Sequence, residues 1–287
     1  MAPTPDFAAF DAAQLSAFDA GTLIVGGTYG LRDVFVTVGQ AAVPVGPHVV
    51  VNSAEQEVVI VRGGARLAAG QVFLSGHDVR VERGALIDTT RSSTTGFDST
   101  QGYVYLDSAS NGASAILAVG NGVYDFAPPQ GNASARQGAI TIDDGAMLRT
   151  RGSVSFLSSG PVTLGEAEIN ARYLSMAAPA IQVGTRASFA AAEAQGAIGP
   201  GVRLSQEMLE RLLRPTVPGQ TPIEQLSLTA THSLNFFGSV ALDLRAARGE
   251  GVPETVLMLN TPAIYGWGTA GDSARIATGT LIWNGLA

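Results

Sequence analysis

Two neighbouring carboxylates are the first candidates for chemistry in this sequence. Asp143 and Asp144 are its only adjacent acidic residues, and two carboxylates can supply the acid and the base that cleave a glycosidic bond. The pair directly precedes Gly145 and Ala146, in a pattern that recurs elsewhere in the chain without acidic pairs. Aspartate is also favoured in turns, because its side chain bonds to nearby backbone. We therefore predict that both residues lie at a solvated turn and are not catalytic.

The histidines and a glycine-rich motif do not form a recognisable metal or cofactor site. His48, His77 and His232 are far apart, and no two of them have the spacing of metal ligands. The stretch GWGTAG at 266–271 matches the pattern GxGxxG, but a strand pattern follows it where a nucleotide-binding motif requires a helix. The absence of cysteine excludes thiolate ligands and nucleophiles. We assign no catalytic, cofactor-binding or metal-binding residues and expect no enzymatic activity.

Aromatic side chains could form a surface on which sugar rings stack, provided that they face solvent. The candidates are Tyr103, Tyr105, Tyr124, Trp267 and Trp283. Tyr124 lies in a polar stretch and is the best candidate for exposure. Trp283 occupies the position of Val25 when GTLIWNG at 279–285 is aligned with GTLIVGG at 21–27, so we expect Trp283 in the core. No ligand-binding residue can be assigned from the sequence.

Composition limits the kinds of partner. The chain has 287 residues, a formal net charge of −7 and a pI near 4.9. All 17 basic residues are arginine, and charged residues make up 14% of the chain. This balance argues against a nucleic-acid partner. No apolar run is long enough to span a membrane, and no export signal follows Met1. If the protein works outside the cell, we expect this chain to be part of a longer one.

The chain consists mainly of short strand patterns separated by Gly, Asp, Ser or Pro. One figure recurs: a β-branched residue, two variable residues, Gly-Ala, one variable residue, then Leu or Ile. It begins at Val61, at Val81 and at Ile142, so the first two copies are 20 residues apart. That spacing is typical of one coil of a parallel β-helix. In such a coil, Gly allows a backbone corner and the small Ala fits inside the bend.

The sequence therefore predicts an all-β fold, a right-handed parallel β-helix (a solenoid) in which each coil takes its backbone partners from the next. We expect one domain over residues 1–287. A short amphipathic helical segment is predicted at 5–20, and a helical insertion at about 204–214, with Ser205 as its N-cap. Polar loops are predicted at about 89–101 and 124–137. The Ala- and Gly-rich residues 187–201 give no clear pattern.

Several stretches resemble filamentous haemagglutinin-type exoproteins, the large adhesins that Gram-negative bacteria export by two-partner secretion. They are VFLSGHDVRVERGALIDTT at 72–90, GAITIDDGAMLRTRGSVSF at 138–156, INARYLSMAAPAIQVG at 169–184, LSLTATHSLNFFGSVALDL at 226–244 and LMLNTPAIYGWGTAGDSARIATGTLIWNG at 257–285. The last two resemble the later part of such chains. The resemblance covers most of the sequence, and its motifs are mostly structural.

The resemblance implies a secreted or surface-displayed shaft, exported by an outer-membrane transporter of the two-partner type. It also implies adhesion to a receptor or glycan on host cells, matrix or other bacteria, without membrane insertion. Two alternatives share the fold. One is a β-helical enzyme that degrades polysaccharides, and the other is the stalk of a contact-dependent inhibition protein, which differs in a carboxy-terminal toxin domain.

Overall fold

The fold is described from a computed structural model that covers residues 8–38, 41–53, 58–91, 104–106, 115–122, 137–213, 222–245 and 255–285. For residues 27–38, 41–53 and 104–106 the backbone alone is described. Strands predominate in these ranges, which confirms the mostly β class.

The described strands are short, apart from four of twelve or thirteen residues. Up to residue 142 they are β1 (Thr22–Val25), β2 (Gly27–Val38), β3 (Ala41–Ser53), β4 (Val58–Val61), β5 (Arg66–Ala68), β6 (Gln71–Gly76), β7 (Asp78–Val81), β8 (Leu86–Asp88), β9 (Val104–Leu106), β10 (Ala115–Gly120) and β11 (Ala139–Ile142). The later strands are β12 (Met147–Arg149), β13 (Ser153–Ser158), β14 (Val162–Leu164), β15 (Glu168–Asn170), β16 (Tyr173–Gly184), β17 (Val202–Ser205), β18 (Gln225–Phe237), β19 (Val240–Asp243), β20 (Val256–Asn260), β21 (Ile264–Trp267), β22 (Ala274–Ala277) and β23 (Thr280–Asn284). The described helices are α1 (Ala12–Ala17), α2 (Arg186–Ala194) and α3 (Gln206–Leu213).

Most of these strands pair side by side in three rows, which we call walls A, B and C. Wall A contains β4, β7, β11, β14 and β17, the second halves of β16 and β18, and β21. Wall B contains β5, β8, β12 and β15, and separately the pair β19–β22. Wall C contains β1, β6, β10, β13, the first halves of β16 and β18, and then β20 and β23. The chain visits A, B and C repeatedly in that order, so neighbours in a wall are usually one circuit apart.

Pairing is parallel in all three walls except at one strand. β10 lies between β6 and β13 in wall C and is antiparallel to both. A second antiparallel pair, β2–β3, is bordered by β9 in a separate sheet and contacts β6. The repeats predict that all stacked strands run parallel. This prediction is wrong at β10, which runs antiparallel to both of its neighbours in wall C. The Gly-Ala figure gives no signal for this strand, since β10 lies in the long interval between the copies that begin at Val81 and at Ile142.

The Gly-Ala figure forms the corner between wall A and wall B. In each copy the residue after the β-branched position accepts a bond from the alanine three residues later, with Ala65 N donating to Arg62 O over 3.0 Å. The glycine before each alanine has a positive φ, at +82° for Gly64, +76° for Gly84 and +72° for Gly145. This geometry is a type II turn, whose third position favours glycine. The sequence prediction of the corner is confirmed.

One cluster of buried side chains runs along the inside of the three walls, from Val59 in β4 to Leu259 in β20. Alternate residues of each strand point into it, so Val79 and Val81 contribute from wall A and Ile87 from wall B. Residues at matching positions of paired strands stack on one another, as Ile140 does with Val79. Burial of these aliphatic side chains provides the main driving force for folding.

Helices α1 and α3 were predicted, whereas α2 was not. α1 confirms that a helix lies near the amino terminus, but it covers only Ala12–Ala17 of the predicted 5–20, and Asp11 caps it by accepting a bond from Ala13 N. α3 confirms the insertion, and Ser205 accepts a bond from Met208 N; the helix begins at Gln206, since Leu204 and Ser205 belong to β17. α3 contacts β19 and supplies buried leucines to the main cluster in the region where wall B is interrupted. The loops at 89–101 and 124–137 lie outside the described residues, apart from 89–91 and 137, and the single domain stays a prediction.

The positive φ of the corner glycines gives a stability prediction. We expect Gly84→Ala to destabilise the protein by about 1 kcal/mol, because an L-residue is strained in the left-handed region. An added Cβ there would otherwise meet only Gly64 N, at 3.8 Å. Gly266→Ala is the matched control, since Gly266 does not have a positive φ and its Cβ would meet no atom within 4 Å. Its midpoint in urea unfolding should be unchanged or slightly raised; equal losses for the two variants would contradict the assignment of strain.

Candidate functional site

The adjacent carboxylates lie at an A–B corner, and each is paired with an arginine. Asp143 Oδ2 accepts a bond from Arg80 Nη2 over 2.8 Å, and Asp144 Oδ2 lies 3.5 Å from Arg83 Nη2. The bond to Asp143 raises the pKa of the Arg80 guanidinium above its usual value. Both arginines come from the preceding circuit of the chain, so the pairs connect neighbouring corners. The position at a turn agrees with the sequence prediction.

Carboxylates at these corners also accept bonds from the backbone of a neighbouring circuit. Glu82 Oε2 accepts from Gly63 N over 3.0 Å, and Asp144 Oδ1 accepts from Glu166 N over 2.8 Å. Glu166 in turn pairs with Arg186 of α2 over 3.1 Å. The acidic residues of the corners therefore satisfy backbone donors and balance arginines. Exposed ion pairs of this kind contribute little stability individually, and their role here is to align successive corners.

The glycine-rich motif forms a loop that is closed by Asp272, between β21 and β22. Asp272 Oδ2 accepts bonds from Thr269 N over 2.7 Å and from Thr269 Oγ1 over 3.0 Å, and Oδ1 accepts from Ser239 Oγ over 2.8 Å. A Cβ at Gly268 would lie 2.6 Å from Asp272 Oδ2, so a glycine is required there. A strand follows the motif, as the sequence predicted. These hydrogen bonds lower the pKa of Asp272 below its usual value. The bond from Thr269 N has the largest effect, and the hydroxyls of Ser239 and Thr269 add to it.

The two histidines whose side chains are described, His77 and His232, do not share a site. His77 Nδ1 lies 3.2 Å from Asp78 Oδ1, whereas His232 is exposed at a corner between walls C and A. The side chain of His48 lies outside the described residues. Within the described ranges, no group of three or more His, Asp and Glu side chains could hold a metal ion.

The aromatic residues differ from the prediction in one respect. Trp283 is 58% exposed, so its expected place in the core is wrong. It lies on β23, which has a strand partner, β20, on one side alone among the described residues. Trp267 packs against Phe237, with ring centroids 5.7 Å apart. The side chains of the three predicted tyrosines, Tyr103, Tyr105 and Tyr124, lie outside the described residues.

A groove at the corner between walls C and A, which we call the corner groove, was not predicted. It has a volume of about 320 Å³. Its polar lining consists of amide, hydroxyl and imidazole groups, and its apolar lining consists of proline and alanine together with a glycine. The lining residues are Gln137, Ser159, Pro179, Ala180, Gln182, Gly199, Pro200, His232, Ser233 and Asn235. Among the described residues that line the groove there is no Asp, Glu or Arg side chain.

Two departures from the regular strand pattern produce the corner groove: a bulge in β18, and helix α2 with the segment that follows it. Ala178 pairs with Ala230 but Ala180 pairs with Ser233, so β18 has one more residue than β16 at this corner. Such a bulge bends a strand and redirects its side chains, and His232 is exposed here. The second irregularity is α2 and the segment that follows it, which brings Gly199 over Gln182: Gln182 Nε2 donates to Gly199 O over 2.7 Å.

Gln182 is the least accessible polar side chain of the corner groove. It is 1% exposed, and its Oε1 has no hydrogen-bond partner among the described residues. An unpaired buried carbonyl is unusual, because it costs about 1–3 kcal/mol. In the strand register Gln182 lies opposite Asn235, and Asn235 lies opposite Tyr265, which is 61% exposed. Amides and one exposed aromatic ring therefore form a row across wall A. The sequence shows that Gln182 alternates with the apolar residues Ile181 and Val183. It does not show that Gln182 and Asn235 lie side by side on neighbouring strands.

Helix α2 is held in place by a capped amino terminus and an aromatic cluster. Thr185 Oγ1 accepts from Ser188 N over 3.1 Å, and Ser188 Oγ accepts from Thr185 N over 2.8 Å, which is a reciprocal capping box. Phe189 of α2 packs edge-on against Phe237, with ring centroids 5.8 Å apart. These contacts fix the helix, and hence the Gly199 rim of the corner groove, against wall A.

Comparisons with known proteins add no identity. No family model matches the chain, and no curated protein sequence and no solved structure matches it significantly. The resemblance to haemagglutinin-type exoproteins therefore rests on the residues quoted above and stays a prediction. None of the helices within the described ranges has the length and apolarity needed to cross a bilayer.

The lowered pKa of Asp272 predicts a pH-dependent contribution to stability. A carboxyl group with a folded pKa below its unfolded value, about 3.9, stabilises the protein above that value, and the contribution is lost as the pH falls through the folded pKa. We expect Asp272→Asn to lower the melting temperature at pH 6, and the difference from the unsubstituted protein to shrink from pH 5 towards pH 2. Thr269→Ser retains both donors and should keep the pH dependence. A constant difference for Asp272→Asn across this range would contradict the prediction.

Proposed function

We propose that the chain is a segment of a secreted or surface-displayed fibrous bacterial adhesin, folded as a right-handed parallel β-helix. In this proposal the interior of the helix is a structural shaft and its outer surface provides contacts to a receptor. Export of the full-length chain uses an outer-membrane transporter of the two-partner type. The observation that carries the proposal is the repeated passage of the chain through walls A, B and C with parallel pairing between circuits.

The interior supports a β-helix because side chains of successive circuits stack in register. In wall C, Val154 lies opposite Leu174, which lies opposite Leu226, and all three are buried in the main cluster. In wall B, Ile87, Leu148 and Ile169 stack in the same way. Stacked aliphatic rows of this kind arise when each circuit lies above the previous one. The glycine corners repeat at matching places between walls A and B although the circuits differ in length, since the copies that begin at Val61, Val81 and Ile142 are 20 and 61 residues apart.

The antiparallel strand β10 is compatible with this proposal. Its reversed direction still places Leu117 opposite Leu74 and Phe156, and Val119 opposite Val72 and Val154. The interior side chains therefore continue the rows on both sides of β10. A single reversed strand is accommodated because alternation puts the same face inward in either direction.

Binding is proposed in preference to catalysis because of how the carboxylates are used. Asp143 and Asp144 accept bonds from Arg80 and from the backbone of Glu166, and they lie on an exposed corner. A glycosidase requires two carboxyl groups that flank a substrate, one of them held protonated by its surroundings. Here the oxygens of both carboxylates are engaged by an arginine and a backbone donor of the protein itself.

Disulfide crosslinking tests the stacking of circuits directly, since the chain contains no cysteine. Thr141 of β11 lies opposite Thr163 of β14 in wall A. We expect the double variant Thr141→Cys, Thr163→Cys to form an intramolecular disulfide under mild oxidation, because paired residues have Cα atoms within bonding range. Pairing Thr141→Cys with a cysteine at Thr229, in wall C, is the control and should not crosslink. Non-reducing electrophoresis with mass spectrometry measures both; crosslinking of the control alone would contradict the stacked register.

Adhesion is tested with the purified chain on fluorescent beads. We expect coated beads to bind cultured epithelial cells or bacterial cells more than albumin-coated beads do, and an excess of soluble chain to abolish the difference. Beads coated with heat-unfolded chain control for non-specific attachment. Binding that soluble chain does not compete would contradict an adhesive role for this segment.

A further inference from the structure

We infer that the corner groove is a binding site for a neutral saccharide, with Tyr265 as the platform for a sugar ring and the amides of Gln182 and Asn235 as hydrogen-bonding partners. The inference rests on the proposed adhesive function and names the ligand class and the place where it binds. It is carried by the size of the groove, the chemistry of its lining, the unpaired oxygen of Gln182 and the exposed ring beside Asn235.

The size of the corner groove suits a small ligand. Its volume of about 320 Å³ lies at the lower end of the range of roughly 300–1,000 Å³ found for ligand pockets. A groove of this size holds one or two sugar rings at a time and leaves the rest of a glycan in solvent. A longer glycan could bind in the same way, with one part in the groove and the rest of the sugar chain extended along the corner.

The lining of the corner groove matches hydroxyl groups and excludes strong charge. Amide and hydroxyl side chains both donate and accept hydrogen bonds, as sugar hydroxyls do. Gln137, Ser159, Ser233 and Asn235 supply such groups, while Pro179 and Pro200 supply apolar surface for the C–H faces of a ring. A carboxylated or phosphorylated ligand would find no Arg side chain among the described residues of the lining. Arg203, which lies opposite Gln182 in the strand register, is engaged by Glu193.

Gln182 gives an independent indication that the site takes a polar ligand. Its Nε2 is fixed by the bond to Gly199 O, so the orientation of the amide is set. Its Oε1 is left without a partner among the described residues, although the side chain is almost fully buried. A hydroxyl donor that enters the corner groove, or a water that it holds in place, would satisfy this oxygen and remove the cost of the unpaired acceptor.

Tyr265 supplies the feature that distinguishes a sugar site from a general polar groove. It is 61% exposed, whereas aromatic rings such as Phe236 and Phe237 on the neighbouring strand are buried. Tyr265 does not line the groove, but strand pairing places it directly opposite Asn235, which does, so its ring lies one strand beyond the lining. A tyrosine ring offers an apolar face and a polar hydroxyl, and this combination fits the two kinds of surface on a pyranose ring.

The experiment measures sugar binding by the intact chain with defined probes. We expect lactose, cellobiose and chitobiose, tested by saturation-transfer NMR and calorimetry, to include at least one ligand with a dissociation constant in the millimolar range or below. A sialylated lactose, which adds a carboxylate, should bind no more tightly than lactose. Tyr265→Ala and Asn235→Ala should each weaken binding about tenfold, and Tyr265→Phe, which keeps the ring, should lose less than Tyr265→Ala.

Trp283→Ala is the matched control, because Trp283 is an equally exposed aromatic residue on wall C. It should leave saccharide affinity unchanged. The inference is overturned if no neutral probe binds at concentrations up to about 10 mM. It is also overturned if Tyr265→Ala and Asn235→Ala bind the probe as tightly as the unsubstituted chain does. Circular dichroism and melting curves check that each variant is folded.

The bead assay separates this inference from the proposed function. If coated beads attach to cells in a competable manner but Tyr265→Ala and Asn235→Ala beads attach equally well, the corner groove is overturned as the ligand site and the adhesive role stands. If the chain binds a neutral saccharide through these residues but coated beads do not attach to cells, the saccharide site stands and adhesion by this segment is overturned.

Discussion

Hydrogen bonding between one circuit of the chain and the next is the interaction on which the rest of this structure depends. Glu82 N donates to Val61 O, and Asp143 N donates to Val81 O, so even the corners obtain their backbone partners from the neighbouring circuit. A strand of three or four residues, such as β5 or β14, cannot satisfy its own donors and acceptors. β14 persists because it pairs with β11 and β17, whereas β5 pairs with β8 and its other edge bonds to Ser16 of α1.

This pairing also fixes which side chains face inward. A register shift of one residue would exchange the buried and exposed faces of a strand. Val81, Ile142 and Leu164 therefore stay at equivalent positions in wall A, one circuit after another. The interior accepts β-branched and other aliphatic residues of similar volume, because each contacts its counterpart above and below. The outer face has no such constraint and is free to carry ion pairs at one corner and polar amides at another.

The surface features arise where the repeat is broken. β10 reverses direction, α2 and the segment after it are inserted between β16 and β17 along the chain, and β18 has an additional residue at its corner. Each change keeps the interior rows intact while altering what the outer face presents. The corner groove results from two of these breaks, since the bulge exposes His232 and the segment after α2 brings Gly199 against Gln182. A regular stack would present a flat surface at the same place. In the proposed function, recognition and mechanical support use different parts of the same circuit.

The sequence by itself determined the local elements. Alternation and turn residues predicted a chain of short strands, and the Gly-Ala figure predicted backbone corners, at which the structure has glycines with positive φ. These signals are local, because they depend on side-chain alternation and on backbone conformations that only glycine adopts easily. Ser205 likewise marked the start of α3. The turn chemistry of Asp143 and Asp144 was predicted for the same reason.

Only the tertiary structure decided which strands are neighbours. The direction of β10, the exposure of Trp283 and the row formed by Gln182, Asn235 and Tyr265 depend on residues that are distant in sequence. Trp283 has the same local pattern as Val25, yet its exposure depends on whether a further strand covers β23, which no local pattern records. α2 was missed because its alanine-rich sequence has few apolar anchors, and Phe189 becomes one through contact with Phe237. Strand alternation predicts which side chains face outward, but the packing of neighbouring circuits decides which other side chains they contact.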